Sequence, residues 1–174
     1  MEVSNIVSSV TYSGKLDLLH ILKTHGHIAR RLKGFPAIVL KFDTSDLCHV
    51  FSNGKIIVLG ATSIKQAHDL FDRYVKLLQD IGYTEEYKDF KIVNIVARYV
   101  HPRAVCLVNL AQLYKLEFEP ELFPAVRLRL KDLKITINIF RSGKCMILGA
   151  RGLLNLQKAV AKLQHVLENA ESHR

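Results

Sequence analysis

The sequence predicts an α+β protein built from two copies of one unit, each an antiparallel sheet closed by a long helix. Two observations carry that expectation. Blocks of the first half return in the second half in the same order, and within each half short alternating apolar runs give way to one long run with three-and-four spacing. Asn5 and Asn94, Gly54 and Gly143, and Gly60 and Gly149 all stand 89 residues apart, whereas Phe35 and Phe123 stand 88 apart. The register therefore slips by one residue in a single loop. A duplication explains this, and it divides the chain into residues 1–86 and 87–174.

Each copy has the same order of elements. Ile6, Ser8 and Val10 alternate with Val7, Ser9 and Thr11, which predicts a first strand, repeated around Asn94-Ile95-Val96. A short helix is expected over 15–23, and its counterpart over 102–113. Three strands rich in Val, Ile and Phe follow at about 36–42, 46–52 and 55–60, matched by 124–131, 133–140 and 144–149. Ser52-Asn53-Gly54 and Arg141-Ser142-Gly143 supply the hairpin turns. In the first long helix Ala67, Leu70, Phe71, Tyr74, Leu77, Leu78 and Ile81 form one apolar face, and Gly82 ends it. Leu153, Leu156, Val160, Leu163 and Leu167 do the same in the second. Helices on one side of an antiparallel sheet leave the other side bare, and right-handed twist curves such a sheet into a saddle. A bare face carrying Phe and Val calls for a partner.

Composition narrows the partner. With 49% apolar and 24% charged residues the chain is that of an ordinary globular protein. No apolar run reaches the roughly 20 residues a membrane span needs, and residues 1–5 lack the basic start of a signal peptide, so an intracellular protein is expected. The net charge of +9 favours phosphate-bearing partners, although RNA, acidic proteins and membrane surfaces fit the charge equally. Cys48, Cys106 and Cys145 have no metal-ligand or disulfide spacing and are expected to be buried or half-buried small apolar residues. His20, His25 and His27 find no carboxylate or thiol at ligand spacing, and no nucleophile or phosphate-loop motif is present, so neither catalysis nor a cofactor is expected.

The segments Asn5-Ile6-Val7-Ser8, Phe51-Ser52-Asn53-Gly54-Lys55, Asp89-Phe90-Lys91-Ile92, Glu119-Pro120-Glu121-Leu122-Phe123-Pro124 and Ile139-Phe140-Arg141-Ser142-Gly143-Lys144 resemble the conserved core of the TATA-box-binding protein (TBP) family. The resemblance spans nearly the whole chain and implies the saddle fold and binding in the minor groove of A·T-rich double-stranded DNA. It implies that Phe35, Phe51, Phe123 and Phe140 are wedges driven between base steps. It further implies that Asn5 and Asn94 donate to base edges in a groove that offers mainly acceptors, over an apolar floor of Val7, Val96, Ile57 and Met146. Lys41, Lys55, Arg129, Lys134, Lys144 and Arg151 match phosphate-contacting positions. Glu119, Glu121 and Leu122 match the loop that docks TFIIB-like factors.

The sequence also departs from the family pattern. Leu59 and Leu148 stand where the family has threonine, removing a hydroxyl twice, while His49 and Asn138 stand where it usually has leucine. An altered preference for TATA-like sequence is expected. The text Ala29-Arg30-Arg31-Leu32-Lys33-Gly34-Phe35 is more basic than usual, which puts a TFIIA-like contact in question, and the loop Asp43-Thr44-Ser45-Asp46 has lost basic character. These features suggest a divergent member acting in a nucleus, or a virus-encoded version acting where viral transcription begins. A rival reading is an interaction module or regulator with weakened DNA binding. Leu59 and Leu148 favour that rival; the four phenylalanines and two asparagines oppose it.

Overall fold

Buried and less buried residues alternate along β4, β5, β8 and β9, and this organises the molecule. The computed structural model describes residues 1–42 and 44–172, so Asp43 of the loop that has lost basic character lies outside the described residues. The elements are β1 (Glu2–Tyr12), α1 (Leu18–Thr24), β2 (Ala29–Arg31), β3 (Ala37–Leu40), β4 (Leu47–Phe51), β5 (Lys55–Ala61), α2 (Ile64–Gln79), β6 (Tyr87–Val100), α3 (Leu107–Tyr114), β7 (Ala125–Leu130), β8 (Ile135–Phe140), β9 (Lys144–Ala150) and α4 (Leu153–Ser172). The α+β class is as expected. Two compact units are distinguished: an amino-terminal unit, Asn5–Val93, and a carboxy-terminal unit, Met1–Ser4 with residues from Asn94 onward.

In the amino-terminal unit the strand order is β2-β3-β4-β5-β1, all antiparallel. Ile6, Val10, Ile38, Leu40, Val50, Ile56 and Val58 are buried, as are Ala67, Tyr74 and Leu78 of α2. In the carboxy-terminal unit the order is β6-β9-β8-β7. There Ile95, Ala97, Val126, Ile137, Ile139 and Ile147 share the core with Leu156, Ala159, Leu163 and Leu167 of α4. Ser63 caps α2 by accepting from the Gln66 N–H at 3.1 Å, and the Gln66 side chain accepts in return from the Thr62 N–H at 2.8 Å. As expected, Gly82 ends the helix: it adopts φ +100° and lets the Tyr83 N–H reach back to the Leu78 carbonyl at 3.1 Å.

Both short helices start later than their sequences suggest, for one reason. The hairpin turns hold the chain before each helix: Leu16 N–H donates to the Ser52 carbonyl at 3.2 Å, and Val105 N–H to the Arg141 carbonyl at 2.9 Å. In the first copy Asp17 then caps, accepting from the Leu19 and His20 N–H groups at 2.9 and 3.1 Å. The segment Ala29–Arg31, to which no strand was assigned, is a short edge strand paired with β3. Cys48 and Cys145 are buried, and burial pushes the Cys145 thiol up to about 12. Cys106 is exposed at the cap position of α3, contrary to the expected burial.

The two cores differ at one place. Asp46 is only 4% exposed and accepts from Tyr74 Oη and Arg73 Nη2, both at 2.6 Å, and from Thr44. The residues 89 positions later at Asp46 and Tyr74 are Ile135 and Leu163, both buried and apolar. Burial raises the Asp46 pKa, but the hydrogen bonds from Thr44, Tyr74 and Arg73 and the guanidinium charge outweigh it and hold the carboxyl below its ordinary value. A depressed pKa contributes stability that is present above the unfolded value and is lost as pH falls through the folded value. Thermal unfolding followed from about pH 5 down to pH 2 should therefore show a shallower loss for Asp46→Asn than for the parent. At neutral pH the same variant should be less stable by about 1–2 kcal/mol, a figure reduced because Arg73 is partly exposed.

Candidate nucleic-acid interface

The residues left facing away from the helices follow from strand alternation and register. In the amino-terminal unit Val7 stands opposite Leu59, and Leu59 opposite Leu47; Ser9 stands opposite Ile57, and Ile57 opposite His49. In the carboxy-terminal unit Met146 stands opposite both Arg98 and Asn138, and Leu148 opposite Thr136. Val7, Val96, Ile57, Leu59, His49, Asn138 and Leu148 are half-buried, and Met146 is 40% exposed. None belongs to the core. The structure thus brings the expected floor of each unit together on one face.

At the edge of each floor two phenylalanines meet. Phe35 and Phe51 rings lie 6.0 Å apart at 62°, and Phe123 and Phe140 lie 6.1 Å apart at 62°. Phe51 and Phe140 end β4 and β8, where their cross-strand partners are the small, buried Ala37 and Ala125. Phe35 and Phe123 come from loops closed by their own backbone: Phe35 N–H donates to the Leu32 carbonyl at 3.2 Å, and Phe123 N–H to that of Glu119 at 2.9 Å. All four rings are half-buried.

The asparagines do two things at once. Asn5 Oδ1 accepts from the Gly60 N–H at 2.8 Å, and Asn94 Oδ1 accepts from the Gly149 N–H at 2.9 Å. The backbone-capping role considered for a strand-end asparagine is therefore real. It occupies only the acceptor: among the described residues neither Nδ2 donates to a protein group, so each amide keeps its donor end available. The geometry depends on glycine. Gly60 and Gly149 adopt φ +106° and +98°, and a Cβ on either would lie 2.7 Å from Asp46 Cα or 2.8 Å from the Lys134 carbonyl.

The six expected phosphate contacts are all exposed. Register places Lys55 opposite Thr11, Lys144 opposite Val100 and Arg129 opposite Thr136. Lys41, Lys134 and Arg151 lie beyond strand ends, where register does not assign them to a face. Glu119, Glu121 and Leu122 form an exposed turn leading into Phe123, and Leu122 is 79% exposed. Two further features were missed in the sequence. The Arg127 guanidinium lies 4.7 Å over the Phe123 ring. In the other unit His49 meets Phe35 edge-on, ring centres 5.1 Å apart, and burial pushes its pKa down. The duplication offered a signal for Arg127, which stands 88 residues after Val39, the residue opposite His49 in β3.

Comparison with known proteins agrees with this geometry. A family model described as "Transcription factor TFIID (or TATA-binding protein, TBP)" matches residues 1–81 and again 89–170. The chain is 34% identical over 171 residues to a TATA-box-binding protein of Tetrahymena thermophila, covering 97% of this chain and 70% of that one. It is also 34% identical to the TATA-box-binding protein of Thermococcus sibiricus, covering 97% and 92%. The solved structure of Methanococcus jannaschii TBP superposes with a TM-score of 0.84 at 26% identity, covering 97% of this chain and 98% of that one. Among the described residues no helix is long and apolar enough to cross a membrane, and no group of three His, Cys, Asp or Glu is placed to hold a metal ion. This chain belongs to the TATA-box-binding protein family, whose members are DNA-binding transcription factors and not enzymes.

Proposed function

We propose that this protein bends promoter DNA by wedging Phe35 with Phe51 and Phe123 with Phe140 into the minor groove, and that it recruits a TFIIB-like factor through Glu119, Glu121 and Leu122. The observation that carries the reading is the duplicated ring pair, with the same separation and the same 62° angle in both units. In each unit the free donor end of the asparagine, Asn5 or Asn94, suits the acceptors of A·T pairs. Lys41, Lys55, Arg129, Lys134, Lys144 and Arg151 supply attraction to phosphate that is independent of sequence. The exposed acidic turn beside Phe123 suits a basic partner surface. Arg30 and Arg31 of β2, with Lys33 in the loop that follows, make the segment before Phe35 basic, which disfavours a TFIIA-like contact of the usual kind. Leu59 and Leu148, together with His49 and Asn138, change the polar pattern of the floor, so the preference departs from the ordinary TATA sequence. The setting that fits is a nucleus, or a site of viral transcription.

Selection of bound duplexes from a random pool tests this directly. A·T-rich sites distinct from the TATA consensus are expected; recovery of that consensus would refute the altered preference, and recovery of no DNA would favour the interaction-module reading. Asn5→Asp tests the amide. The carboxylate keeps the acceptor for the Gly60 N–H but replaces the donor with negative charge. Thermal stability should change little, while affinity for an A·T-rich duplex should fall about 10- to 100-fold, the range for a lost base contact.

A further inference from the structure

The protein carries two kinds of polar group on its floor. Asn5 and Asn94 are held by glycine N–H groups and can present only a donor. Asn138 is not held: its Oδ1 is buried and accepts no hydrogen bond among the described residues. A half-turn about its last torsion exchanges acceptor and donor. His49 makes no hydrogen bond through its ring nitrogens among the described residues. Its lowered pKa keeps the imidazole neutral, with one bare nitrogen. The two residues occupy matching places. His49 stands opposite Ile57, and Asn138 opposite Met146. Each lies two residues before a wedge phenylalanine on the same strand face, a rise of about 7 Å.

In the minor groove only guanine displays a donor, its N2 amine; every other base edge there accepts. A floor of apolar side chains and fixed amide donors leaves that amine without a partner. We propose that His49 and Asn138 each accept the guanine N2 amine, so that each unit takes a G·C pair beside its phenylalanine wedge. This inference rests on the minor-groove reading above and names the base the altered floor admits.

Inosine discriminates, because an I·C pair lacks the amine and otherwise keeps the pairing. A single G·C or I·C pair is walked through an A·T-only site, and affinities are measured by gel shift with the parent chain. Beside each wedge, I·C should bind about 5-fold more weakly than G·C, the effect of one lost hydrogen bond. In the double variant His49→Leu with Asn138→Leu the order beside each wedge should reverse, I·C binding better than G·C. Equal affinity of the parent for G·C and I·C, or tighter binding of I·C at those positions, overturns the inference, and that comparison needs no variant to fold. Failure to bind the A·T-only duplex would instead remove the minor-groove reading, and this inference with it.

Discussion

Replacing Phe51 and Phe140 together by alanine should weaken binding to an A·T-rich duplex about 1,000-fold, given roughly 2 kcal/mol for each base–aromatic stack. The proposed mechanism spends energy on unstacking two base steps and recovers it through ring contacts and the area a bent duplex brings against the floor. Without the rings, the exposed cations still attract phosphate, so weak, salt-sensitive binding should persist while bending disappears. Folding should be nearly unaffected, by about 1 kcal/mol or less, because both rings are half-buried and the residues paired with them across the strands are the small Ala37 and Ala125. Affinity by gel shift and bending by energy transfer between end-labelled duplex termini separate the two effects. Binding and bending equal to the parent's would show that the rings do not wedge.

The largest stability effect is expected at a turn. Gly143 adopts φ +83°, and a Cβ there would lie 2.6 Å from both the His101 and the Arg103 carbonyl oxygens. Neither oxygen can retreat freely, because His101 N–H donates to the Gly143 carbonyl at 2.9 Å and so clamps the same turn. Backbone strain and a backbone clash therefore add, and Gly143→Ala should cost about 3–5 kcal/mol. At this chain length that is a drop of about 8–15 °C in melting temperature. Gly54, its counterpart, is as tightly placed, with a Cβ site 2.4 Å from the Tyr12 carbonyl. Gly34 is the control: φ is +76° but nothing lies within 4 Å, so Gly34→Ala should cost only about 1 kcal/mol. A fall of less than about 3 °C for Gly143→Ala would refute the argument. The turn also bears on the wedge, since Gly143 N–H donates to the Phe140 carbonyl at 2.9 Å.

Much of the candidate site was legible before any coordinates. Ten floor residues, four rings and six cations were named from the family resemblance, and none of them lies in a core. Local signals failed where a distant segment made the decision. The starts of α1 and α3 are delayed by hairpin turns some 36 residues further along, from Leu16 to Ser52 and from Val105 to Arg141. Ala29–Arg31 pairs as an edge strand only because β3 offers it backbone partners, which a run of basic residues does not announce. Asp46 looks like a loop acid in the sequence, yet Tyr74 and Arg73 of α2 enclose it.

Period-two alternation was sufficient to determine the α+β class and the two faces of each strand, because those depend on neighbours one to four residues away, and repetition at an offset of 88 to 89 residues matched the rings and amides of the two copies. Which end of the Asn5 and Asn94 amides is presented, which of Asn5, Asn94 and Asn138 is free to turn, and which cation covers a wedge ring were decided in three dimensions. Each depends on a partner residue distant in the chain or across the sheet, such as the Gly60 N–H 55 positions from Asn5, and on a backbone conformation that only glycine adopts there without strain.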